Sequence, residues 1–322
     1  MKAIFTSLAL VILSSSVLSL PSERRESDSS LTEIQALNFA LSLEHFQSYF
    51  YKQLQQYEPQ DFSNAGLPPW SHGRYAQISS HELIHVQLLE NILGDNAVQP
   101  CTYNLSARFL HVFHTWAELL SVSPDADLRS FVKTSNIVEA ISSSAYTTLA
   151  KYFSDPDYAI SISSIHSVEA RHSAWINADV REGAAWSTAF DAPMGLSQLK
   201  TIMNDFIVSC PSSNSLSPIR IFPTLTFPPS VMPGQTVQVS FSPADPEHDS
   251  QTLYAWFISG FKALVVPLNA DMTVTIPETL QGFVFSVITN HKESVSDDAT
   301  VAGPAFLVFD YDYQGNDQSL PM

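Results

Sequence analysis

The sequence predicts a two-part chain of α and β structure, a four-helix bundle followed by a β-sandwich of immunoglobulin-like size. Three observations lead there. Before residue 210, long stretches place apolar residues three and four apart, the spacing of a buried helix stripe. Between Pro218 and Pro321 that period vanishes, and apolar residues alternate in short runs set off by Pro, Gly, Asn and Asp. Each of four helical stretches also carries a glutamate on its apolar stripe, and two of these are followed three residues later by histidine.

Taken in order, residues 1–20 have a signal-peptide layout: Lys2, a mostly apolar run from Ala3 to Leu13, then Ser14, Ser15, Ser16 and Ser19 as small residues suited to cleavage. Glu23 to Ser30 is polar, with Arg24-Arg25 a candidate dibasic processing site. The bundle is expected over 31–210. Thr32 and Gln35 are spaced as a capping box and open a helix that runs to about Tyr57, before Pro59. A loop through Pro68-Pro69 leads to a second helix, about Arg74 to Leu93, stopped by Gly94. Ser106 to Val122 predicts an additional helix. Ser123-Pro124 and Asp155-Pro156 each join an N-cap residue to a proline at the first helical position, opening helices over about 124–153 and 156–182. A short helix is expected over about 196–208, and Ser212 to Ser217 reads as a linker. The β-sandwich, 218–312, then has strands at Thr236–Phe241, Leu253–Ile258, Met272–Ile276, Phe283–Ile288 and Ala305–Phe309.

The stripes carry chemistry as well as packing. Leu37, Leu41, Glu44, Ser48 and Tyr51 share one helix face; so do Ile78, Glu82, His85 and Leu89, then Val132, Ser135, Glu139, Ser142 and Tyr146, then Ile162, Ile165, Glu169 and His172. Four carboxylates inside a core cost several kcal/mol each unless compensated, and two divalent cations balance them. One Glu from each of two helices, with Glu-x-x-His from each of two others, is a dimetal ligand pattern. A single Glu-x-x-His arises by chance about 0.4 times in such a composition, so the second copy carries the weight. The expected metal ligands are Glu44, Glu82, His85, Glu139, Glu169 and His172. Glu82 and Glu169 would be shared between the ions, Glu44 and Glu139 terminal, and His85 and His172 on one ion each. Such oxygen and nitrogen donors suit two iron or manganese ions. The alternative is a polar core satisfied by hydrogen bonds, water or mutual salt bridges. Tyr146, two turns after Glu139, and Arg171, between Glu169 and His172, are candidates to contact the ligands from behind.

Composition narrows the partners. A net charge of −17, a pI near 4.8 and only 15 Lys plus Arg argue against nucleic acid or an anionic membrane. The leading apolar run is too short to cross a bilayer, and nothing later reaches the roughly 20 apolar residues required. Secretion is therefore the expected destination, extracellular or to the cell wall. In that oxidising route Cys101 and Cys210 favour a disulfide, the alternative being two buried thiols. Asn104-Leu105-Ser106 is a candidate glycosylation sequon.

Residues from about 31 to 210 resemble the ferritin-like domain of secreted fungal stress-response and late-sexual-development proteins, which are related to plant desiccation-associated proteins. The likeness lies in Leu37-Asn38-Phe39-Ala40-Leu41-Ser42-Leu43-Glu44, His81-Glu82-Leu83-Ile84-His85-Val86, Ile137-Val138-Glu139 before Ser144-Ala145-Tyr146, and Ser167-Val168-Glu169-Ala170-Arg171-His172. It implies a ferritin-like bundle with the same six residues as dimetal ligands. Ile141-Ser142-Ser143 stands where the family often has Gly-Val, which would narrow or polarise the space beside the metals.

The function expected is redox chemistry with dioxygen or peroxide, a di-iron or di-manganese oxidoreductase acting in stress or development. Two other classes stay open. One is a non-catalytic extracellular or cell-wall structural protein with a vestigial bundle, whose β domain contacts wall polymer or another protein. The other is a zinc metalloprotease through His81-Glu82-x-x-His85, although Leu88 and Asn91 leave no metzincin-type extension. His111, His114 and Glu118 read as one polar helix face, and His248 and His291 as isolated surface residues.

Overall fold

Thr32 opens the first helix with both halves of its capping box, accepting from the Gln35 N–H at 3.2 Å and donating its own N–H to Gln35 Oε1 at 2.9 Å. The structure, a computed structural model, describes residues 31–105, 128–214, 218–241, 252–312 and 314–316. The expectations for residues 1–20, Arg24-Arg25, the additional helix with His111, His114 and Glu118, and His248 lie outside the described residues. α1 spans Glu33–Tyr51 and tightens into a 3-10 turn, Lys52–Gln56. α2, Pro59–Asn64, precedes α3, Ser71–Leu93, which ends where Gly94 takes φ 53°. α4 covers Leu128–Leu149. α5, Pro156–Trp175, starts with Asp155 accepting from the N–H groups of Asp157 and Tyr158. It continues into a π turn, Ile176–Val180, and α6 follows at Leu196–Asn204. α1 packs on α3 and α4 on α5.

The helix expected over 196–208 is shorter than its apolar pattern suggests. Ile207–Ser209 is a strand, β2, paired antiparallel with β1, Thr102–Tyr103. The reason is local and covalent: Ile207 and Val208 are β-branched, and a disulfide joins Cys101 to Cys210, so the flanking segments must run side by side. Asn38 braces the approach to Cys101 from α1, donating to Asn96 O and accepting from Val98 N–H, both at 2.9 Å. Asn104 is half-buried beyond β1, its N–H donated to Phe206 O at 2.9 Å.

Strands β3, Leu225–Thr226, β4, Thr236–Gln238, β5, Ser240–Phe241, β6, Tyr254–Ser259, β7, Lys262–Pro267, β8, Thr273–Thr275, β9, Gly282–Thr289, and β10, Thr300–Phe309, make the second part. An antiparallel sheet runs in the order β10-β9-β6-β7, with β3-β5 and β4-β8 as separate pairs. Alternation along the strands sends Phe257, Val284, Ile288 and Leu307 into a core shared with Leu225, Val239 and Val274, which gives the two layers of the predicted sandwich. The opposite face is not left to solvent. Ile258, Phe285, Val287 and Phe306 join the same apolar cluster as the helices. The central sheet is therefore buried on both faces, and the helical and strand parts share a continuous core. β7 lies outside the predicted strands because Ala263–Pro267 is apolar at every position and the sequence shows no alternation there, although at this sheet edge exposed Ala263, Val265 and Pro267 alternate with half-buried Leu264 and Val266.

Candidate metal centre

Glu44 reaches the bundle axis from α1, Glu82 and His85 from α3, Glu139 from α4, and Glu169 and His172 from α5. The four carboxylates are fully enclosed and the two imidazoles nearly so. Their ligand-type atoms form two clusters: Glu44, Glu82, His85 and Glu169 in one, and Glu82, Glu139, Glu169 and His172 in the other, with the atoms of each cluster all within 4.8 Å of one another. Glu82 and Glu169 belong to both.

Each carboxylate divides its work between its two oxygens. One oxygen of each accepts from a neighbour: Glu44 Oε1 from the Tyr146 hydroxyl, Glu139 Oε1 from the Tyr51 hydroxyl, and Glu82 Oε2 and Glu169 Oε2 from the Gln47 amide at 2.9 Å each. The other oxygen has no hydrogen-bond partner although it is buried, and the same is true of Nδ1 of His85 and of His172. One unpartnered atom from each of the six residues thus faces the same space. His85 Nδ1 stands 3.4 Å from Glu44 Oε2, 3.2 Å from Glu169 Oε1 and 3.6 Å from Glu82 Oε2, the oxygen that Gln47 holds, and His172 Nδ1 stands 3.4 Å from Glu82 Oε1 and 3.3 Å from Glu139 Oε2. Those gaps allow electrostatic attraction but exceed the roughly 2.7–2.9 Å of a charge-assisted hydrogen bond.

Without an ion, protons must balance the charge. Burial first, and then the Glu169 charge, push the Glu44 and Glu82 carboxyls up and raise Glu139 to about 7. Glu169 is the opposite case. Burial works against its charged form, but the His85 contact and the charges of His172 and His85 outweigh it and hold it at about 2. Burial would lower both imidazoles, yet the surrounding glutamates raise His85 strongly and His172 to about 11. The consequence for stability has a definite sign. A carboxyl raised from 4.5 to about 7 in the folded state contributes stability present below 4.5 and lost as pH rises through 7. Glu44 and Glu82 act in the same direction, and the opposite contribution of Glu169 is lost only as pH falls towards 2. Metal-free protein should therefore melt at a lower temperature at pH 7 than at pH 5, and thermal melts across that window check it.

Among the residues placed behind the ligands, Tyr146 does contact one, through Glu44. Arg171 does not. It is exposed, and its guanidinium turns back along α5 to Ser167 O at 2.7 Å and Ser167 Oγ at 3.0 Å, because position 171 lies off the buried stripe of 165, 169 and 172. Tyr51 and Gln47 were not singled out from the sequence, yet they complete the arrangement. The signal for Tyr51 was available: Glu44 and Tyr51 on α1 repeat the seven-residue spacing of Glu139 and Tyr146 on α4. Each tyrosine crosses to the other helix's glutamate.

His81 has a different place from the one a zinc-protease site requires. Its Nδ1 lies 3.0 Å from His172 Nε2, with the rings stacked 5.2 Å apart, and it belongs to neither cluster. An ion on His172 Nδ1 would leave Nε2–H to donate outward to His81 Nδ1. His81→Ala should accordingly cost about tenfold in metal affinity, the scale of a lost outer partner of a ligating histidine, rather than abolish binding. Equilibrium competition with a chelator measures it.

No curated protein matches this chain. Residues 32–182 match the family model described as a ferritin-like domain, a span that opens at the Thr32 cap and closes just beyond the π turn, and that holds all six clustered residues. The helical part of the chain is a ferritin-like domain with a buried glutamate and histidine cluster that could bind metal, and the β-rich part follows it.

Proposed function

We propose that this is a secreted dimetal-carboxylate protein that holds two iron or manganese ions and carries out redox chemistry with dioxygen or peroxide in stress or development. The six unpartnered atoms support the reading best. Unpartnered imidazole nitrogens and carboxylate oxygens 3.2–3.4 Å apart are too far for charge-assisted hydrogen bonds, yet near enough that an ion would be held by both. The donor set, carboxylate-rich with one imidazole per cluster, also suits these metals.

When bound, such a pair of ions would supply the electrons that reduce dioxygen or peroxide. The chain's own residues would prepare the place. Gln47 fixes the two shared carboxylates through both N–H groups of one amide. Tyr51 and Tyr146, whose hydroxyls are pushed well above their ordinary range by burial and by Glu139 and Glu44, stay protonated and keep donating. His81 sets the His172 ring. The signal-like N-terminal sequence and the disulfide support secretion, the family resemblance supports a stress or developmental setting, and a cell-wall or protein partner would be met through the strand part.

Metal analysis of protein purified without added metal tests the reading. Close to two iron or manganese ions per chain are expected. One zinc per chain would favour the hydrolytic alternative, and no metal would favour a structural protein with a vestigial bundle.

A further inference from the structure

A cavity of about 430 Å³ opens at the surface beside the metal centre, lined by Trp70, Arg74, Arg171, His172, Trp175 and Asp179. His172, one of the six clustered residues, is among its lining residues, so a molecule in it would sit one side chain away from the site. It is an open cleft rather than an enclosed cavity.

The walls have a specific chemistry. Trp70 is half exposed, and its ring stands 6.1 Å from that of Trp175 at 56°, leaving indole surface open to a flat partner. Arg74 and Arg171 both line the same opening. Neither forms an ion pair within 4.0 Å among the described residues. Arg74 donates to Gln77 Oε1 at 2.8 Å, and Arg171 uses Nε and one terminal nitrogen on Ser167, so each keeps donors to spare. Against them stands the single carboxylate of Asp179. In a chain of net charge −17, two arginines beside one acid make a local reversal of sign. The opening also lies at the first turn of α3, a helix of 23 residues whose N-cap residue is Trp70 and whose start has no side-chain cap; the N–H groups there favour negative charge.

We propose that this cavity binds a small aromatic carboxylate, stacked on the exposed Trp70 ring with its charge on Arg74 and Arg171, and that such acids are the substrate class brought to the centre beside His172. The substrate role rests on the dimetal reading; the binding does not. The Trp70 indole sets the preference for a ring, and the two arginines set the preference for a carboxylate.

Titration calorimetry on the full chain with benzoate, benzamide and acetate tests it. Benzoate should bind about tenfold or more tightly than either of the others, since benzamide lacks the charge and acetate the ring. Arg74→Gln with Arg171→Gln should bring benzoate down to the level of benzamide. Trp70→Ala, a change at an exposed position that serves independently of the arginine pair, should bring it down towards acetate. Equal binding of benzoate and benzamide, inorganic phosphate binding as well as benzoate, or unchanged benzoate binding in Trp70→Ala would each overturn the proposal. Metal content measured on the same samples separates the two readings. Benzoate binding by a chain that takes up no metal keeps the cavity assignment and removes the dimetal site, whereas two ions per chain with no benzoate binding removes only the cavity assignment.

Discussion

Glu169→Ala is expected to lower metal occupancy and to destabilise the fold by about 3–5 kcal/mol even in metal-free protein. Glu169 is the carboxylate on which the polar core depends when no ion is present, because it is the one among the four held strongly ionised, at about 2. It faces His85 Nδ1 at 3.2 Å and accepts from Gln47 at 2.9 Å. Alanine removes both partnerships at once, leaving a buried amide donor without an acceptor and two raised imidazoles with one fewer counter-charge. On the dimetal proposal the loss would be larger in occupancy, since Glu169 belongs to both clusters and each would lose a ligand together. Glu169→Gln keeps the volume and one carbonyl oxygen, so it should cost less stability than alanine while still reducing metal content. Denaturant melts of both variants, with and without metal, make the comparison. Metal-free Glu169→Ala protein as stable as the parent would refute the coupled core described above.

Much of this site could be read from sequence because an α-helix repeats. Glu82 and His85 share a face by their spacing alone, and so do Glu169 and His172. The same rule that identified them rejects Arg171, which sits two positions from Glu169 and therefore points elsewhere. What the sequence did not reveal depends on contacts between helices. Gln47 lies three residues after Glu44, but its role comes from reaching Glu82 on α3 and Glu169 on α5, and no local pattern encodes that reach. His81 is similar: one position from Glu82 it leaves the ligand stripe, as expected, yet α5 brings His172 alongside it. In the strand region, the runs with alternating apolar residues stood out, while β3 and β7, short or at an edge, did not. The end of the predicted 196–208 helix failed for a topological reason, the pairing of β2 with β1 beside the disulfide.

Asp310→Ala should cost a further set of about 3–5 kcal/mol at the junction of the helical and strand parts, for electrostatic reasons independent of metal. Arg181 ends the π turn, where its N–H donates to Ile176 O at 3.0 Å and its guanidinium is almost completely enclosed. It donates to Asn177 Oδ1 at 2.8 Å and reaches across to Asp310 Oδ2, just past β10, at 2.9 Å. Removing Asp310 leaves a charged group in the interior without its carboxylate, and a guanidinium cannot escape by losing its proton. Asp310→Asn keeps one acceptor and should lie between the parent and alanine. Arg181→Met combined with Asp310→Ala should recover much of the loss, because the cost arises from an enclosed charge that has lost its Asp310 carboxylate rather than from lost packing. Because the sheet face of Ile258, Phe285, Val287 and Phe306 is built into the helical core, the loss should appear as a shift of one cooperative transition. Helical circular dichroism and tryptophan fluorescence should move together. A change below about 0.5 kcal/mol in Asp310→Ala, within the range of ordinary surface substitutions, would mean that water or another group compensates Arg181 and that the pair does not anchor the two parts.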